Sequence, residues 1–333
     1  MDLTIIIVNY RTPGLVRDCL QGLYRYTSNI SFEVIVVDND SSDGLEIILQ
    51  KEFPAVKFLQ MGYNAGFARA NNEGIRHSAA ETVLLLNSDT ILEDNVIGNC
   101  YAALRRSDHV ACGVQLLNPD RTPQLSGFFA VKGGLNFLLA LPYAGAIIKF
   151  LGKALKLKKP NVPEATELTE VDWVNGAFLM VKQSAIAIAG LLDEDFFLYA
   201  EEAEWCSRLR KTGKLCIYGD QHIVHLLAGS SMATFQSSDK TYDNIFDKKG
   251  QQLMLSNFLR IKKEHGSGSF IFILLLFVLE IPFFLVLLLI SHLFLLPDRY
   301  PFKTFMGYVR NVGKVIALSD RILGNKPWFY KVM

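Results

Sequence analysis

The sequence lacks the features that mark several common classes of protein. Its 333 residues carry a formal net charge of only +1, so the charge balance gives no support to a nucleic-acid partner. The five cysteines show no C-x-x-C spacing and cannot all pair, which argues against a zinc site and against a disulfide framework. We therefore expect reduced core thiols in a cytosolic compartment.

Signals for secretion and for common nucleotide-binding loops are also missing. The first residues contain no basic stretch and no cleavage site, so residues 3–8 are better explained as a buried strand than as part of a signal peptide. No G-x-G-x-x-G follows this strand, and no G-x-x-x-x-G-K-[ST] occurs anywhere. These absences argue against a dinucleotide-binding protein and against a P-loop protein.

The first hundred residues alternate short apolar runs with helical patterns. They predict strands at Leu3–Val8, Phe32–Val37, Val56–Met61 and Thr82–Leu86, and helices over residues 13–26, 45–51, 65–79 and 94–106. Strands separated by helices of this length indicate parallel β-α-β units and a doubly wound α/β sheet. Strand patterns return at 171–181, 214–218 and 222–225, and a helix is predicted over 202–211.

Every predicted strand of the first half ends in polar residues, and such strand ends line the ligand crevice of an open α/β sheet. The most informative ending is Asn87-Ser88-Asp89, where Asp89 could hold a divalent cation that in turn binds substrate phosphates. Alone, the triplet is explained equally well by an Asx turn that caps a helix. A binding site explains it together with the other three endings, which are residues 9–11, 38–44 and 62–67.

Two segments indicate a membrane. The apolar run Phe270–Leu296 is long enough to cross a bilayer, but Glu280 and Pro282 lie near its middle. We therefore favour two half-length helices that dip into one leaflet over a single span, and both over a buried helix pair. Residues 128–159 mix apolar side chains with lysines, which fits a membrane surface and an ordinary insertion equally well.

Three motifs of the first half resemble those of the family 2 inverting glycosyltransferases, namely Thr4–Tyr10, Val36–Gly44 and Gly62–Gly74. Within that family, the bacterial rhamnosyltransferase-like enzymes of cell-surface polysaccharide assembly are the most similar subgroup. The resemblance extends over roughly residues 3–235 and implies a GT-A-type mixed sheet. It further implies three regions: a nucleotide-sugar-binding half (1–120), an acceptor half that includes the basic stretch (121–262), and a C-terminal, membrane-associated helical region (263–333).

The resemblance also implies roles for residues on the donor side. Asn9 and Tyr10 would contact the nucleoside, and Asp38 the pyrimidine ring, for which a carboxylate can accept the imide N–H. Asp89 and His225 would hold Mg2+ or Mn2+, with Asn87 standing where a stricter pattern has a second Asp, so that fewer charges hold the metal. Five residues would line the nucleotide-sugar pocket: Asn64, Gly66, Asn71, Asn87 and Ser88.

On the acceptor side, Asp172–Met180 resembles the segment that shapes the acceptor pocket, which brings in Trp173, Asn175 and Gly176. Inversion requires a base that takes the acceptor proton as the hydroxyl attacks. By alignment this base is Glu202, with Glu201 and Glu204 as alternatives and Glu201 also on the acceptor side. Taken alone, carboxylates at a helix start can simply complement the helix dipole.

The predicted activity is transfer of one sugar to a polyprenyl-diphosphate-linked saccharide at the cytoplasmic face of the inner (plasma) membrane. The subgroup favours L-rhamnose from dTDP-L-rhamnose as the donor. Three alternatives remain at this point: another nucleotide sugar, a polyprenyl-phosphate acceptor, or a catalytically inactive sugar-nucleotide-binding membrane protein. The absence of a Q-x-x-R-W motif, which processive members of this superfamily carry, argues against polymer synthesis.

Overall fold

A computed structural model describes residues 1–157, 160–227, 235, 244–294 and 300–332. Several residues that entered the predictions lie outside these ranges: Lys158, Lys159, residues 228–231, 295–296 and Arg299. The chain forms two compact units. The sheet unit comprises Met1–Phe129, Pro160–Phe197 and Glu201–Thr234, and the helical unit comprises Ala130–Lys159, Leu198–Ala200 and Phe235–Met333.

The strands occur in two sheets of the sheet unit. They are β1 (Leu3–Asn9), β2 (Phe32–Asp38), β3 (Lys57–Gln60), β4 (Thr82–Asn87), β5 (Thr90–Ile91), β6 (His109–Leu117), β7 (Gly127–Phe128), β8 (Asn161–Val162), β9 (Leu168–Val171), β10 (Trp173–Val174), β11 (Phe178–Lys182) and β12 (Lys214–His225). The main sheet has the order β3-β2-β1-β4-β11-β6-β12-β5, with β9 also on β12, and the small sheet has the order β10-β7-β8.

The helices are α1 (Pro13–Tyr26), α2 (Leu45–Glu52), α3 (Gly66–Arg76), α4 (Val96–Arg106), α5 (Ala144–Ala154), α6 (Gln183–Ala189), α7 (Glu201–Leu209), α8 (Lys248–Leu293) and α9 (Phe302–Leu323), with a 3-10 helix at Lys132–Ala140. Pro13 suits the first turn of α1, since its fixed φ matches a helix and its missing N–H would have no helical partner there.

The predicted β-α-β order of the first half is confirmed. Strand β1 runs parallel to β2 and β4, and β2 runs parallel to β3. The apolar side chains of β1, β2 and β4 point alternately to two core layers. Ile5 and Ile7 lie in one layer, and Ile6 lies in the other. Residues 171–181 differ from the single predicted strand, because they divide among β9, β10 and β11. Of these, β11 runs antiparallel between β4 and β6, which makes the sheet mixed.

The helical unit is built around α8, which changes direction at Gly266. This glycine has φ +83°, a conformation that residues with a Cβ rarely adopt. The second part of α8 returns along the first, since the ring of Phe258 lies 5.6 Å from that of Phe270 and 5.1 Å from that of Phe277. Among the residues that the structure describes, α8 is the one helix that is long and apolar enough to cross a membrane.

The prediction that the apolar run divides near Glu280 and Pro282 is wrong. The backbone stays helical through Pro282, and the break lies at Gly266. Proline removes one helical hydrogen bond, which a long apolar helix packed against neighbours tolerates. The sharp bend instead requires the left-handed conformation that glycine provides. A second bend, of 114°, separates the 3-10 helix Lys132–Ala140 from α5.

Candidate functional site

The ends of β1, β2 and β4 meet at one edge of the sheet. Asn9 lies opposite Asp38, and Val8 lies opposite Asn87. This register follows from parallel strands of similar length that start together. The polar residues that follow the strands are thereby brought together, as the sequence predicted for a ligand crevice.

Asn9 and Asp38 form the buried centre of this edge. The Asn9 side-chain amide donates to Asp38 Oδ1 at 2.7 Å, and also to Ser41 Oγ at 3.0 Å and Asp43 Oδ2 at 2.9 Å. Asp38 Oδ2 accepts from the Ser41 backbone N–H at 2.9 Å and from Gln60 Nε2 at 3.0 Å. Both side chains therefore shape the loop after β2. A contact of Asn9 or Asp38 with a nucleoside stays a prediction.

The start of α3 is fixed against the segment that precedes α7. Gly66 has φ +72°, and a Cβ there would overlap the carbonyl oxygen of Phe197. The same carbonyl accepts a hydrogen bond from the Phe67 backbone N–H at 3.0 Å. Asn64 Oδ1 accepts from the Gly66 N–H at 3.1 Å. Glycine at position 66 is thus required by a close backbone approach and by its conformation.

The Asp89 carboxylate and the His225 imidazole face each other in the predicted metal position. Asp89 Oδ1 lies 3.3 Å from His225 Nε2, and both residues are only 4% exposed. Strands β5 and β12 bring them together, since Thr90 pairs with His225. Asn87 Nδ2 lies 3.4 Å from the same Nε2 atom.

Gln124 orients this histidine, and sequence reasoning missed it because no motif surrounds it. Its Nε2 donates to the carbonyl oxygens of His225 at 2.7 Å and Leu117 at 3.2 Å, which fixes the orientation of the amide. Its Oε1 therefore faces His225 Nδ1, at 3.0 Å. Since that oxygen can only accept, Nδ1 carries the proton, and in the neutral imidazole Nε2 keeps its lone pair toward Asp89.

This arrangement fits a divalent cation that is shared with a substrate. Two neighbouring ligands of an octahedral Mg2+, each about 2.1 Å from the metal, are about 3.0 Å apart, close to the separation of Asp89 Oδ1 and His225 Nε2. Nowhere in the described ranges do three or more His, Cys, Asp or Glu side chains gather as a metal site. Asp89 and His225 would therefore supply two ligands, and phosphate oxygens and water the others.

Glu202 is positioned next to the same edge through β11. The Asn87 backbone N–H donates to the Ala177 carbonyl oxygen at 3.0 Å. A Cβ on the preceding residue, Gly176, would lie 3.4 Å from Glu202 Cγ and 3.4 Å from the Phe67 ring. The metal-side triplet, the predicted acceptor-side glycine and the predicted base are thus connected by short contacts.

The two alternative carboxylates of α7 are more deeply buried. Glu204 forms a bidentate ion pair with Arg208, with three N···O distances between 2.8 and 3.1 Å, and so has a structural role. Glu201 is also buried. Tyr199 and Ala200, immediately before α7, have φ +72° and +68°. Two consecutive non-glycine residues with positive φ make the backbone strained here, and such strain is concentrated at functional sites.

The remaining predicted site residues are distributed around these groups. Asn71 is buried within α3 and donates to the Phe67 carbonyl at 2.9 Å, and Asn175 accepts from the Ala177 N–H at 2.9 Å, so both hold backbone. Ser88 Oγ lies 3.4 Å from Thr12 Oγ1. The Trp173 ring packs edge-on against Phe128, and the Arg11 guanidinium lies 5.2 Å from the centroid of the Tyr10 ring. The predicted ligand contacts of Trp173 and Tyr10 stay predictions.

Comparison with known proteins gives a family match for the N-terminal part of the chain. Residues 4–126 match the family model of glycosyl transferase family 2. A low-salt glycan biosynthesis hexosyltransferase of Haloferax volcanii is 31% identical over 219 residues, which are 63% of this chain and 62% of that protein. The chain therefore covers less than two thirds of this relative's length.

Two further relatives have rhamnosyltransferase names. An N-acetylglucosaminyl-diphospho-decaprenol L-rhamnosyltransferase of Mycobacterium tuberculosis is 25% identical over 65% of this chain and 73% of that protein. The rhamnosyltransferase WbbL of Escherichia coli (strain K12) is 23% identical over 76% of this chain and 94% of that protein.

The fold is also that of a solved structure. The crystal structure of GalNAc-T7 with UDP, GalNAc and Mn2+ superposes with a TM-score of 0.54 at 13% identity, over 79% of this chain and 48% of that one. This similarity concerns the fold alone. Residues 4–126 therefore match a glycosyl transferase family 2 domain, the mixed sheet has the GT-A fold, and the long apolar helix α8 is a candidate membrane-associating segment.

Proposed function

We propose that the chain is a metal-dependent, inverting glycosyltransferase that moves a single sugar from a nucleotide sugar to an acceptor hydroxyl. The observation that carries this proposal is the close connection of two sites. Asp89 and His225 face each other after β4, and Glu202 lies beside Gly176, one residue from the backbone partner of Asn87. A displacement needs both kinds of site, one for the leaving group and one for the attacking hydroxyl.

The roles of the residues follow from their positions. Mg2+ or Mn2+ bound by Asp89 and His225 would stabilise the negative charge of the departing nucleoside diphosphate. Gln124 keeps the Nε2 lone pair of His225 available for that ion. Glu202 takes the proton of the acceptor hydroxyl, which attacks from the face opposite the leaving group and so inverts the anomeric centre. Mn2+ in the GalNAc-T7 crystal structure supports a divalent ion.

The donor that we propose is dTDP-L-rhamnose, and the acceptor a polyprenyl-diphosphate-linked saccharide. The names of two relatives support this choice, one of which specifies a decaprenol-linked N-acetylglucosamine acceptor. We place the reaction at the cytoplasmic face of the inner membrane, where nucleotide sugars are made and where the apolar α8 would contact a lipid-linked substrate. Asp38 would accept the imide N–H of the base, and Tyr10 would stack on it.

The test uses the full chain with a panel of nucleotide sugars, a polyprenyl-diphosphate N-acetylglucosamine acceptor, and Mg2+ or Mn2+. We expect dTDP release coupled to product, loss of activity in excess chelator, and an inverted anomeric centre by NMR. Glu202→Gln should lower kcat by about 100- to 10,000-fold with little change in the donor KM. The same change at the exposed Glu46 is the matched control, which should keep wild-type activity.

Each part of the proposal can fail separately. A retained anomeric configuration contradicts the inverting mechanism, and full activity in chelator contradicts the metal. Wild-type turnover by Glu202→Gln removes this residue as the base. Turnover of another nucleotide sugar, with none of dTDP-L-rhamnose, replaces the proposed donor and leaves the transferase. No turnover with any donor, together with tight nucleotide binding, would favour an inactive binding protein.

A further inference from the structure

Helix α5 is exposed on nearly all sides although it is apolar. Gly145 is its one buried residue, while five large apolar side chains on or just after it are 37–70% exposed: Ile147, Ile148, Phe150, Leu151 and Leu155. A helix of 11 residues is marginal in water without tertiary packing. So many exposed apolar side chains on one short helix mark an interaction surface.

The charges of α5 show which kind of partner this surface fits. Lys149 and Lys153 are four residues apart and therefore share one face of the helix. Ile147, Leu151 and Leu155 also recur every four residues, displaced from the lysines by two residues, or about 200° around the axis. A helix with lysines on one face and large apolar side chains on the other is suited to the interface of a bilayer with anionic headgroups.

The start of α5 is held by Glu280, the carboxylate within the apolar part of α8. Glu280 Oε1 accepts from the backbone N–H groups of Tyr143 at 2.6 Å and Ala144 at 3.1 Å, and the side chain is 3% exposed. The Tyr143 ring packs edge-on against Phe284, at 5.2 Å. The first N–H groups of a helix have no helical partner, and leaving them without one in lipid is costly. The Glu280 carboxylate supplies the acceptor for these N–H groups.

Helix α8 presents a second exposed apolar surface in the same unit. After Gly266, seven exposed apolar side chains recur at intervals of three or four residues and form a stripe: Ile271, Leu275, Leu279, Phe283, Val286, Leu289 and Leu293. Phe272 and Ile290 are exposed beside it. The opposite face packs inward, through Phe270, Phe277 and Phe284. The stripe therefore faces away from the protein.

We propose that α5 and this α8 stripe insert into one leaflet of an anionic phospholipid bilayer, with Lys149 and Lys153 at the phosphates and Glu280 fixing the start of α5. A second copy of the chain fits less well, since a contact that covered the apolar face of α5 would leave the lysines in water on the opposite face, whereas an anionic bilayer engages both faces. The proposal is independent of sugar transfer.

Depth-dependent fluorescence quenching tests the proposal. Single cysteines replace Phe150 in α5, Leu279 in the stripe, and the exposed Ile188 of α6 as the matched control, and each is labelled with an environment-sensitive dye. The five native cysteines are buried, so the folded wild type should take up little label. In vesicles that contain phosphatidylglycerol, we expect acyl-chain nitroxides to quench the dye at 150 and 279, and aqueous iodide to quench it at 188.

Two sets of variants examine the individual groups. Gln can still accept at the same oxygen position, so Glu280→Gln should keep the acyl-chain quenching at 150, whereas Glu280→Leu should lose it there and keep it at 279. Each of Lys149→Gln and Lys153→Gln should weaken binding to anionic vesicles about fivefold and leave binding to neutral vesicles unchanged. The lysine variants change exposed side chains and therefore test the proposal even where Glu280→Leu does not fold.

Three results would overturn the proposal. The first is iodide quenching at 150 in anionic vesicles that equals the quenching at 188. The second is protection of the dye at 150 without lipid, together with a dimeric mass by light scattering, which would make a second copy the partner. The third is vesicle binding by the lysine variants equal to that of the wild type.

Discussion

Replacement of Gln124 by Met separates the orientation of His225 from the presence of its imidazole. In the wild type, His225 Nδ1 lies 3.0 Å from Gln124 Oε1. Methionine has nearly the same length as glutamine but offers no strong acceptor to the Nδ1–H group. Both neutral tautomers of His225 then become accessible, and only one of them directs a lone pair toward Asp89.

The expected losses of metal affinity and of folding stability follow from the residues that Gln124 contacts. Loss of a hydrogen-bond partner behind a metal-binding histidine costs about 10- to 100-fold in metal affinity, equivalent to about 1.4 to 2.7 kcal/mol. The substitution also removes the donor to two carbonyl oxygens, at 2.7 and 3.2 Å, which should cost about 1–3 kcal/mol of folding stability for each one that stays buried and unpaired.

The assay is a Mn2+ titration of the initial rate at saturating donor, together with the EPR signal of free Mn2+ in the presence of protein and dTDP. We expect the apparent dissociation constant for Mn2+ to rise about 10- to 100-fold. The kcat at saturating Mn2+ should stay near the wild-type value. The control is Gln252→Met, since Gln252 is also buried and makes three hydrogen bonds, to Ser256, Tyr330 and Val332, none of them to a predicted metal ligand. A Gln124→Met constant within twofold of the wild type, or an equal shift in the control, would refute the reasoning.

Three other predictions follow from the geometry. Gly66→Ala should lower the free energy of unfolding by more than about 2 kcal/mol in denaturant titrations, because its Cβ overlaps the Phe197 carbonyl at φ +72°, and Gly14→Ala, with open space, is the control. Burial raises the pKa of Glu194, but hydrogen bonds and charge from its Arg and Asn neighbours lower it more. Its stabilising contribution should therefore be present above about pH 4.5 and disappear as the pH falls. The free energy of unfolding, measured at several pH values, should depend less on acid in Glu194→Gln than in the wild type. Burial raises the pKa of Cys19 to about 12, so we expect Ellman's reagent to titrate this thiol only after denaturation.

Much of the sheet could be predicted from the sequence because its local signals and its tertiary structure agree. Helix α1 was predicted to follow Pro13 and to end near Tyr26, and the structure has it at Pro13–Tyr26, since a proline fits the first turn of a helix. The polar strand ends were predicted to meet because parallel strands leave no other arrangement. Asp89 and His225 are 136 positions apart in the chain, and their proximity came from the family resemblance and not from local pattern.

Other features depend on contacts that no local pattern encodes. Gln124 has an ordinary loop context, and its role appears only when β12 places His225 against it. The break of α8 was assigned to Pro282 because proline is the stronger local signal, whereas tertiary packing determines that Gly266 turns. Glu280 was identified as an unusual charge, but its partners, the N–H groups of Tyr143 and Ala144, are more than 130 residues away in the sequence.

The antiparallel direction of β11 has a consequence for how such a chain can vary. Because β11 starts where the neighbouring β4 ends, Gly176 arrives at the sheet edge that carries Asn87, and a single backbone hydrogen bond sets the spacing. Residues 130–159, which leave and re-enter the sheet unit between β7 and β8, can lengthen, shorten or change their chemistry without altering that spacing. The pair of β4 and β11 thus keeps one geometry at this edge, while the helical segment inserted between β7 and β8 is free to diverge in sequence.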